Sequence, residues 1–437
     1  MRPRVLFAIV LSAMLAGLSS AHAQILPVPP GWQLERAVLL SRHGVRSPTV
    51  PNQQLDRYAS TAWPSWPVAP GDLTPRGAEL MGLMGRYYRV YFGGRGLVQT
   101  DDCPAPGAVA AWADSDERTR KSAAALLAGM YPRCPRLGVG SQDAAAPRDP
   151  LFHPPPSPSC PMDAVANRAA ILARIGGDFT SVTREYSGPL NAMTAALCPT
   201  GASVGGERCA APSSLSSLEL TPRGYFAIRG PIGVGSTAAE SFLMEAAEGL
   251  PKDQVAWGRL SGDAELTDLL SLHSLDVDLT EKTLPIARQK GSNMLAQIVE
   301  TLVDGRKFPG LAAGPEPVRF ALLMGHDFNI SHTESLLRLG WQIPGFQAND
   351  ASPGGALAFE LFREVASGQR YMRIAYFAQT LPQMRQATTL SLAEPPGMQT
   401  VNLPACSSWA YQGSCPLARF VEIARAAIEP GCVTIKP

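Results

Sequence analysis

Three short apolar runs along the chain each end in a cluster of charged residues. The runs cover Arg36–Leu40, Val109–Ala113 and Phe320–Met324, and their continuous apolar character indicates strands buried on both faces. An alanine-rich stretch at Thr119–Met130 predicts a helix after the second run, and a helix is also expected after the third. Strands that alternate with helices indicate an α/β fold, with a mainly parallel sheet that carries helices on both faces.

The pattern changes between residues 151 and 289. This segment opens with the rigid connector His153–Pro158 (HPPPSP) and continues with helix-like stretches at Met162–Ile175 and Ala238–Glu248. Because a chain of 437 residues exceeds what one core usually organises, we expect an inserted, mainly helical domain. The predicted organisation is a signal peptide at 1–23, an α/β domain formed by 24–150 and 290–437, and the helical domain at 151–289.

The C-terminal part of the α/β domain contains a predicted β-hairpin. Two strand-like stretches at 356–362 and 371–377 flank Ala366–Gln369 (ASGQ), a typical turn composition.

The N-terminus has the pattern of a secretory signal peptide. Arg2 and Arg4 form a basic region, Val5–Leu18 is apolar, and Ala21–Ala23 (AHA) is a small-residue cleavage pattern. We therefore expect a mature chain that starts near Gln24 and is exported to the periplasm. The apolar run is short for a membrane span, and no later segment resembles one.

The charge of the predicted mature chain is close to zero. The full sequence has 38 Lys and Arg against 37 Asp and Glu, and removal of residues 1–23 leaves a net charge of −1. A near-neutral protein lacks the bulk positive charge that binds nucleic acid or anionic membranes. We expect a monomer with a small-molecule substrate and neither of those partners, so any anion must be bound locally.

Eight cysteines in an exported chain indicate four disulfides, whose pairing the residues alone leave open. No Cys-x2-Cys pair occurs, and the His and Cys residues do not cluster at metal-ligand spacing. We therefore expect oxidised disulfides, no metal and no cofactor.

The charged clusters lie where the predicted strands end. Ser41–Thr49 (SRHGVRSPT) follows the first strand, Asp114–Arg118 (DSDER) the second, and Gly325–Asp327 (GHD) the third. Since ligands of parallel sheets bind beyond the carboxyl ends of the strands, the three clusters are expected to meet at one edge.

The first cluster predicts a phosphate site around a histidine. Arg42 and Arg46 flank His43, and Gly44 allows the backbone to turn sharply so that both arginines converge. Planar guanidinium groups bind phosphate oxygens in a bidentate manner, which lysine cannot do. The pair His326-Asp327 adds a further donor and a carboxyl group from another strand end.

Two other motifs point to different chemistry. Gly201–Gly205 (GASVG) matches the G-x-S-x-G elbow of serine hydrolases, but it lies between Cys198 and Cys209 rather than between a strand and a helix. Asp114-Ser115-Asp116 resembles an aspartyl nucleophile motif, yet Arg118 replaces the expected Thr or Val and no later acidic pair completes a magnesium site. No cysteine has an arginine six positions on, which excludes thiolate phosphatases.

The combination of Arg42-His43-Gly44-x-Arg46-x-Pro48 with a distant His-Asp pair resembles the signature of the histidine acid phosphatases. The resemblance extends from about Gln33 to Cys432 and is strongest to bacterial periplasmic phytases, then to glucose-1-phosphatases. Further similar segments are Trp63–Val68, Leu73–Gly77, Asp116–Arg120, Trp257–Arg259, Leu270–His273 and Pro353–Gly355.

This family implies a phosphoglycerate-mutase-like α/β fold and a phosphohistidine mechanism that agrees with the residues themselves. His43 is expected to attack phosphorus, and Asp327 to protonate the leaving alcohol and then to activate water. The groups expected to hold the phosphate are Arg42, Arg46, Thr49, Arg118 and His326. The resemblance further implies the disulfides Cys103–Cys134, Cys160–Cys432, Cys198–Cys209 and Cys406–Cys415.

The substrate is predicted to be phytate, although two positions depart from the phytase pattern. Val50 stands where those phytases have a lysine, and Lys290 stands where they have an arginine. Glu240, His273 and Lys290 are candidates for substrate binding, and a packing role is an equal alternative for His273.

The sequence also leaves three alternatives to a phytase. A sugar-phosphate phosphatase such as a glucose-1-phosphatase shares the chemistry. A non-catalytic phosphate-binding protein would need neither His43 nor Asp327. The phosphoglycerate mutase branch also uses an Arg-His-Gly histidine, but export, disulfides and the His-Asp pair disfavour it.

Overall fold

The structure, a computed structural model, describes residues 27–134, 137–143, 145–146, 148–200, 209, 215–222, 224–310 and 317–434. The predicted signal peptide at 1–23 and the G-x-S-x-G match at 201–205 lie outside the described residues. Every helix within the described ranges is too short or too polar to cross a membrane.

The strands of the described residues form one large sheet and one separate hairpin. In chain order they are β1 (Trp32–Arg42), β2 (Val109–Ala113), β3 (Gly140–Ser141), β4 (Ser217–Leu220), β5 (Phe226–Arg229), β6 (Phe320–Gly325), β7 (Ala356–Glu364), β8 (Arg370–Ala378), β9 (Gly397–Val401) and β10 (Cys415–Pro416).

The helices of the described residues lie on the large sheet or form the segment before β6. They are α1 (Asn52–Leu55), α2 (Pro75–Gly93), α3 (Glu117–Met130), α4 (Ala164–Arg174), α5 (Thr180–Glu185), α6 (Ser187–Leu197), α7 (Pro231–Glu248), α8 (Asp263–Thr280), α9 (Leu284–Val303), α10 (Asp327–Leu337), α11 (Leu381–Gln386) and α12 (Leu417–Ala427).

The large sheet is mixed and has a parallel core. Its strand order is β10-β8-β7-β1-β6-β2-β3, with β9 also paired to β8. The pairs β1–β6, β6–β2 and β2–β3 are parallel, as predicted, whereas β7, β8, β9 and β10 pair antiparallel. The hairpin predicted near the C-terminus is confirmed as β7–β8.

The register of the parallel strands brings the three charged clusters together. Arg42 of β1 lies opposite Gly325 of β6, and Ala113 of β2 lies opposite Met324. Residues 37–40 of β1 are completely buried, which agrees with the continuous apolar run that predicted the strand. The polar residues therefore start at a common edge, directly above the core.

Gly44 is required for packing rather than for an unusual backbone angle. Its φ is not positive, so the sharp turn expected of Gly44 does not use the glycine-specific region. A Cβ on Gly44 would lie 2.9 Å from the Gly77 carbonyl oxygen and 2.9 Å from Met81 Cγ. The glycine thus lets the segment after His43 pack directly against the start of α2.

The segment between residues 151 and 289 consists mainly of helices. Helices α4–α8 lie in it together with the hairpin β4–β5, and a small apolar core includes Ile171, Phe179 and Ile228. Residues of α7 and α8, such as Phe242 and Leu269, belong to the main core instead. Helix α9 runs across the predicted division at 289/290, and the domain boundaries stay a prediction.

All eight cysteines form disulfides, with the pairing that the family resemblance implied. The pairs are Cys103–Cys134, Cys160–Cys432, Cys198–Cys209 and Cys406–Cys415. Cys160–Cys432 closes a loop of 272 residues and fixes the start of the helical segment to the C-terminus.

Candidate active site

The end of β1 supplies a buried arginine at the floor of the site. The Arg42 side chain is 1% exposed, and its Nη1–H donates to the Ala351 carbonyl at 2.7 Å. Its Nη2 lies 2.5 Å from Glu240 Oε1 and 3.0 Å from Asp327 Oδ2. A guanidinium buried next to two carboxylates keeps its charge and has a fixed orientation.

His43 is held with one ring nitrogen available for chemistry. Its Nδ1 lies 2.8 Å from the Gly44 carbonyl oxygen, which can only accept, so Nδ1 carries the proton and Nε2 has a lone pair. Burial lowers the pKa of His43 well below its usual range, and the charges of Arg118, Arg42 and Arg46 lower it further. The imidazole is therefore neutral at neutral and mildly acidic pH.

Two further arginines face this histidine. Arg46 Nη2 lies 2.8 Å from Glu240 Oε1, and its Nη1–H donates to the Ser47 carbonyl. Arg118, in the first turn of α3, pairs with Asp116 at 2.6 Å. The cluster that the sequence placed after β2 therefore adds its arginine to the cluster after β1.

Arg118 also lies at the rim of the site, on the side where Thr49 is found. Its Nη1–H donates to the Gly71 carbonyl at 3.4 Å, and the exposed Thr49 lies next to Gly71. Thr49 thus lies near the edge of the site and outside its buried floor, and its expected role in holding the phosphate stays a prediction.

His326 follows β6 and lies between the arginines and a buried aspartate. Its ring centroid is 5.5 Å from that of His43. Its Nε2–H donates to Asp114 Oδ2 at 2.7 Å, and Arg118 Nη2–H donates to its Nδ1 at 3.4 Å. The side chain of His326 is therefore oriented by the Asp114 carboxylate on one side and by the Arg118 guanidinium on the other.

Asp114 acts here as a hydrogen-bond acceptor rather than as a nucleophile. Its side chain is 1% exposed, and Oδ2 accepts from both His326 and His153. Burial alone would raise its pKa, but the hydrogen bonds from His153 and His326 hold the pKa far below its usual range. The aspartyl-nucleophile hypothesis therefore has no support in this geometry.

Asp327 is the first residue of α10 and contacts Arg42. Burial tends to raise its pKa, but the charge of Arg42, with smaller contributions from His273 and His326, lowers the pKa overall. In the absence of phosphate, the carboxyl group is therefore ionised and paired with Arg42.

Glu240 and His273 reach the same site from the helical segment. Glu240 on α7 accepts from Arg42 and Arg46 through a single oxygen, and these cations together with His273 lower its pKa against the effect of burial. His273 on α8 lies 3.1 Å from Ser236 Oγ, and its ring lies within 4.8 Å of the carboxylates of Glu240 and Asp327.

Lys290 lies outside this cluster. Its Nζ is 3.2 Å from Glu281 Oε2 and lies 4.3 Å above the ring of Tyr225. It borders a cavity of about 210 Å³ that is also lined by His153, Tyr225 and Phe328. Since Phe328 stacks on His326 with centroids 4.8 Å apart, the cavity and the phosphate site share a wall.

Among the residues that the structure describes, two groups of side chains have the composition of a metal site, but both are engaged in other contacts. In the first group, His153 and His326 each donate a hydrogen bond to Asp114. In the second group, Glu240, His273 and Asp327, both carboxylates pair with Arg42. The arrangement can bind and polarise an oxyanion with cationic side chains alone.

The structure brings together most of the predicted residues, including some that are far apart in sequence. Glu240 is 198 residues from Arg42, and His326 is 208 residues from Arg118. His153 also belongs to this cluster, although its sequence context predicts only a proline-rich connector. Its one signal was its position directly after the apolar pair Leu151-Phe152.

Comparisons with known proteins agree with this geometry. Residues 33–185 match the model of the histidine phosphatase superfamily, branch 2. Phytase AppA of Escherichia coli K12 is 35% identical over 92% of this chain and 94% of its own length. The glucose-1-phosphatase of Salmonella typhimurium is 28% identical over 96% of this chain and 98% of its own. The phytase of Hafnia alvei, solved in complex with tartrate, is 37% identical with a TM-score of 0.85, covering 93% of this chain and 100% of that one.

The fold and these similarities show that the chain belongs to branch 2 of the histidine phosphatase superfamily. Within it, the protein is a phosphomonoester hydrolase of the histidine acid phosphatase family, similar to phytases and also to glucose-1-phosphatases.

Proposed function

We propose that the protein is a phytase that removes phosphate from inositol polyphosphates through a phosphohistidine on His43. The observation that carries this proposal is the orientation of His43. Its Nδ1–H donates to the Gly44 carbonyl. Nε2 is therefore unprotonated, and three arginines surround the ring. A neutral imidazole in a strongly cationic, buried site suits in-line attack on a phosphate ester.

The first chemical step forms the phosphoenzyme. Arg42, Arg46 and Arg118 donate to the phosphate oxygens, with His326 oriented beside Arg118, while His43 Nε2 forms a bond to phosphorus. The bond between phosphorus and the ester oxygen breaks, and Asp327 gives its proton to the departing alkoxide.

The second step regenerates the enzyme. The Asp327 carboxylate accepts a proton from water, and the water oxygen attacks the phosphohistidine. The N–P bond breaks, its electron pair returns to His43 Nε2, and inorganic phosphate leaves. Asp327 is then protonated for the next cycle.

Substrate binding is expected to prepare Asp327 for its role as an acid. Arg42 holds its pKa low in the phosphate-free site. A bound phosphate shares the charge of Arg42 and adds negative charge beside the carboxyl group, and both effects raise the pKa of Asp327. Turnover is therefore expected to be fastest at acidic pH.

The preference for phytate is supported by the cavity beside His326. Lys290 and Arg148 line this cavity, so a second phosphate on the same ring can meet positive charge outside the catalytic site. The similarity to the phytases of E. coli and H. alvei points the same way.

A glucose-1-phosphatase is the second candidate, and one feature favours it. Glu240 and Asp276 both lie close enough to His273 for its charge to lower their pKa values, and burial raises the pKa of Asp276 to about 6. Carboxyl groups next to the phosphate site can accept hydrogen bonds from sugar hydroxyls, whereas they repel further phosphate groups.

Phosphate release from phytate, glucose 1-phosphate and p-nitrophenyl phosphate distinguishes these substrates. We expect the highest kcat/KM for phytate, and a higher kcat/KM for glucose 1-phosphate would overturn the phytase proposal. His43→Ala is the control for contaminating phosphatases. A wild-type protein that binds phosphate without turnover would indicate the non-catalytic alternative.

We also infer that the protein is exported, periplasmic and monomeric. Four disulfides persist in oxidising compartments and are rare in the cytosol. Mass spectrometry of the protein isolated from cells is expected to give an N-terminus near Gln24, and retention of residues 1–23 would contradict cleavage. Light scattering measures the oligomeric state.

A further inference from the structure

Asp114, which orients His326, is itself held by two histidines. Both donors converge on Oδ2, His326 from 2.7 Å and His153 from 2.9 Å. Its other oxygen, Oδ1, is buried and has no hydrogen-bond partner among the described residues. The direction of the carboxylate therefore depends on these two bonds alone.

Arg148 fixes the tautomer of His153. Arg148 Nη1 lies 3.2 Å from His153 Nδ1, and a guanidinium nitrogen can only donate. Nδ1 of His153 must then be the acceptor, so the ring proton is on Nε2, the nitrogen that faces Asp114. Arg148, His153 and Asp114 thus form a chain of hydrogen bonds, in which Arg148 donates to His153 and His153 donates to Asp114.

The ring of His153 is also packed against the site. Its side chain is 5% exposed, and its centroid lies 5.3 Å from His326 and 5.2 Å from Phe328. Phe328 in turn stacks on His326, so the three rings contact one another. A rotation of the Asp114 carboxylate or of the His153 ring would therefore move His326 as well.

We propose that His153 is a positioning residue for the reaction, which holds Asp114 so that the His326 ring keeps its place beside Arg118 at the phosphate site. The proposal rests on the proposed place of His326 at the phosphate site. His153 does not touch the substrate phosphate; it acts through Asp114, and its contribution appears as affinity for an oxyanion in the site. Loss of one oriented hydrogen bond to a buried charge typically costs about 10- to 100-fold in such affinity.

Three variants test this role with p-nitrophenyl phosphate and tungstate, a single-phosphate substrate and a transition-state-like oxyanion. His153→Leu removes the donor to Asp114. His153→Asn retains an N–H that can reach the same carboxylate. His332→Leu is the matched control, because His332 is a buried histidine that donates to a carboxylate, Glu281, at 2.8 Å without contacting Asp114.

We expect His153→Leu to weaken tungstate binding and kcat/KM together, by about tenfold or more. His153→Asn should recover most of this loss, and His332→Leu should lower the Tm without weakening tungstate binding. The proposal is overturned if His153→Leu binds tungstate within twofold of His332→Leu, or if Asn is as poor as Leu.

Two further variants keep the test interpretable. If His153→Leu does not fold, Arg148→Met is used instead. Arg148 is exposed, and its replacement removes the donor that fixes the tautomer of His153. We expect a several-fold loss of tungstate affinity. Unchanged affinity would overturn the proposal. His326→Ala tests the proposed role of His326 separately. If this variant binds tungstate like the wild type, the proposed role of His326 is wrong. If only His326→Ala loses affinity and the His153 variants do not, the role of His153 alone is contradicted.

Discussion

The chemistry of the site depends on which protons its individual side chains carry. His43 has its proton on Nδ1 because a carbonyl oxygen accepts it, and three arginines oppose a second proton on the ring. In the proposed mechanism, Asp327 by contrast exchanges its proton during each turnover. The two residues are therefore expected to respond differently to substitution.

Replacement of the nucleophile should separate binding from chemistry. In His43→Ala, the arginines that bind the oxyanion are intact, so tungstate should still bind while hydrolysis of every phosphomonoester is abolished. Phosphate trapped on the wild type at low pH should be acid-labile and base-stable, and peptide mapping should place it on His43. Phosphate found on Asp114 would contradict the mechanism.

Replacement of the acid should depend on the leaving group. Asp327→Asn should reduce kcat strongly for phytate, since an inositol alkoxide leaves poorly without a proton. The same variant should lose much less kcat on p-nitrophenyl phosphate, whose phenolate leaves unprotonated. If Asp327 merely begins helix α10, both substrates will lose the same fraction of kcat.

At the scale of single elements, helix α7 contains a carboxyl group with an unusual environment. Glu245 is 1% exposed, and its Oε2 accepts from the Ala256 N–H at 2.9 Å. Burial raises its pKa from the usual 4.5 to about 8. The folded protein therefore keeps a proton on Glu245 that the unfolded chain loses above its ordinary pKa.

This difference makes stability depend on pH. Between the unfolded pKa of 4.5 and the folded pKa of about 8, the free energy of unfolding should fall as pH rises. The contribution of Glu245 to that slope is about 1.4 kcal/mol per pH unit. Glu245→Gln keeps an acceptor for the Ala256 N–H but does not titrate. In urea unfolding, the free energy of unfolding should therefore fall less between pH 5 and pH 7 in this variant than in the wild type.

Glu219→Gln is the control for this experiment. Glu219 is exposed and paired with Arg229, which lowers its pKa, so its ionisation does not change between pH 5 and 7. An unchanged slope in Glu245→Gln would show that Glu245 is ionised in the folded protein.

The elements also show what a sequence can predict. β1, β2 and β6 were predictable because continuous apolar runs of that length indicate buried strands. β3 and β10, each of two residues, are too short to have a periodic pattern. The position of α9 was missed because its apolar pattern continues without a break across the predicted domain boundary.

The site was predictable to the extent that its residues lie at strand ends. His43, Arg118 and Asp327 follow β1, β2 and β6, and parallel strands bring such residues together. The contact between His153 and Asp114 joins residues 39 apart through an irregular segment, where neither periodicity nor strand order applies. Glu240, likewise, was a candidate from resemblance, and its two arginine partners required the structure.

At the scale of the whole molecule, the longest disulfide loop should contribute most to stability. Cys160–Cys432 closes 272 residues and Cys406–Cys415 only 9. In the chain-entropy model, this difference in loop length corresponds to about 3 kcal/mol. Replacing both Cys160 and Cys432 by Ser should therefore lower the Tm more than replacing both Cys406 and Cys415, and the opposite order would contradict the model.

The Cys160–Cys432 bond has a consequence for biogenesis as well. The other three disulfides join cysteines that are neighbours in the chain, whereas four cysteines lie between Cys160 and its partner. A chain that crosses a membrane from its N-terminus exposes Cys198 to an oxidant long before Cys432. Oxidation in order of arrival would join Cys160 to the wrong thiol, and thiol–disulfide exchange must then break that bond. The yield of active enzyme should thus be limited by a disulfide isomerase rather than by the supply of oxidant.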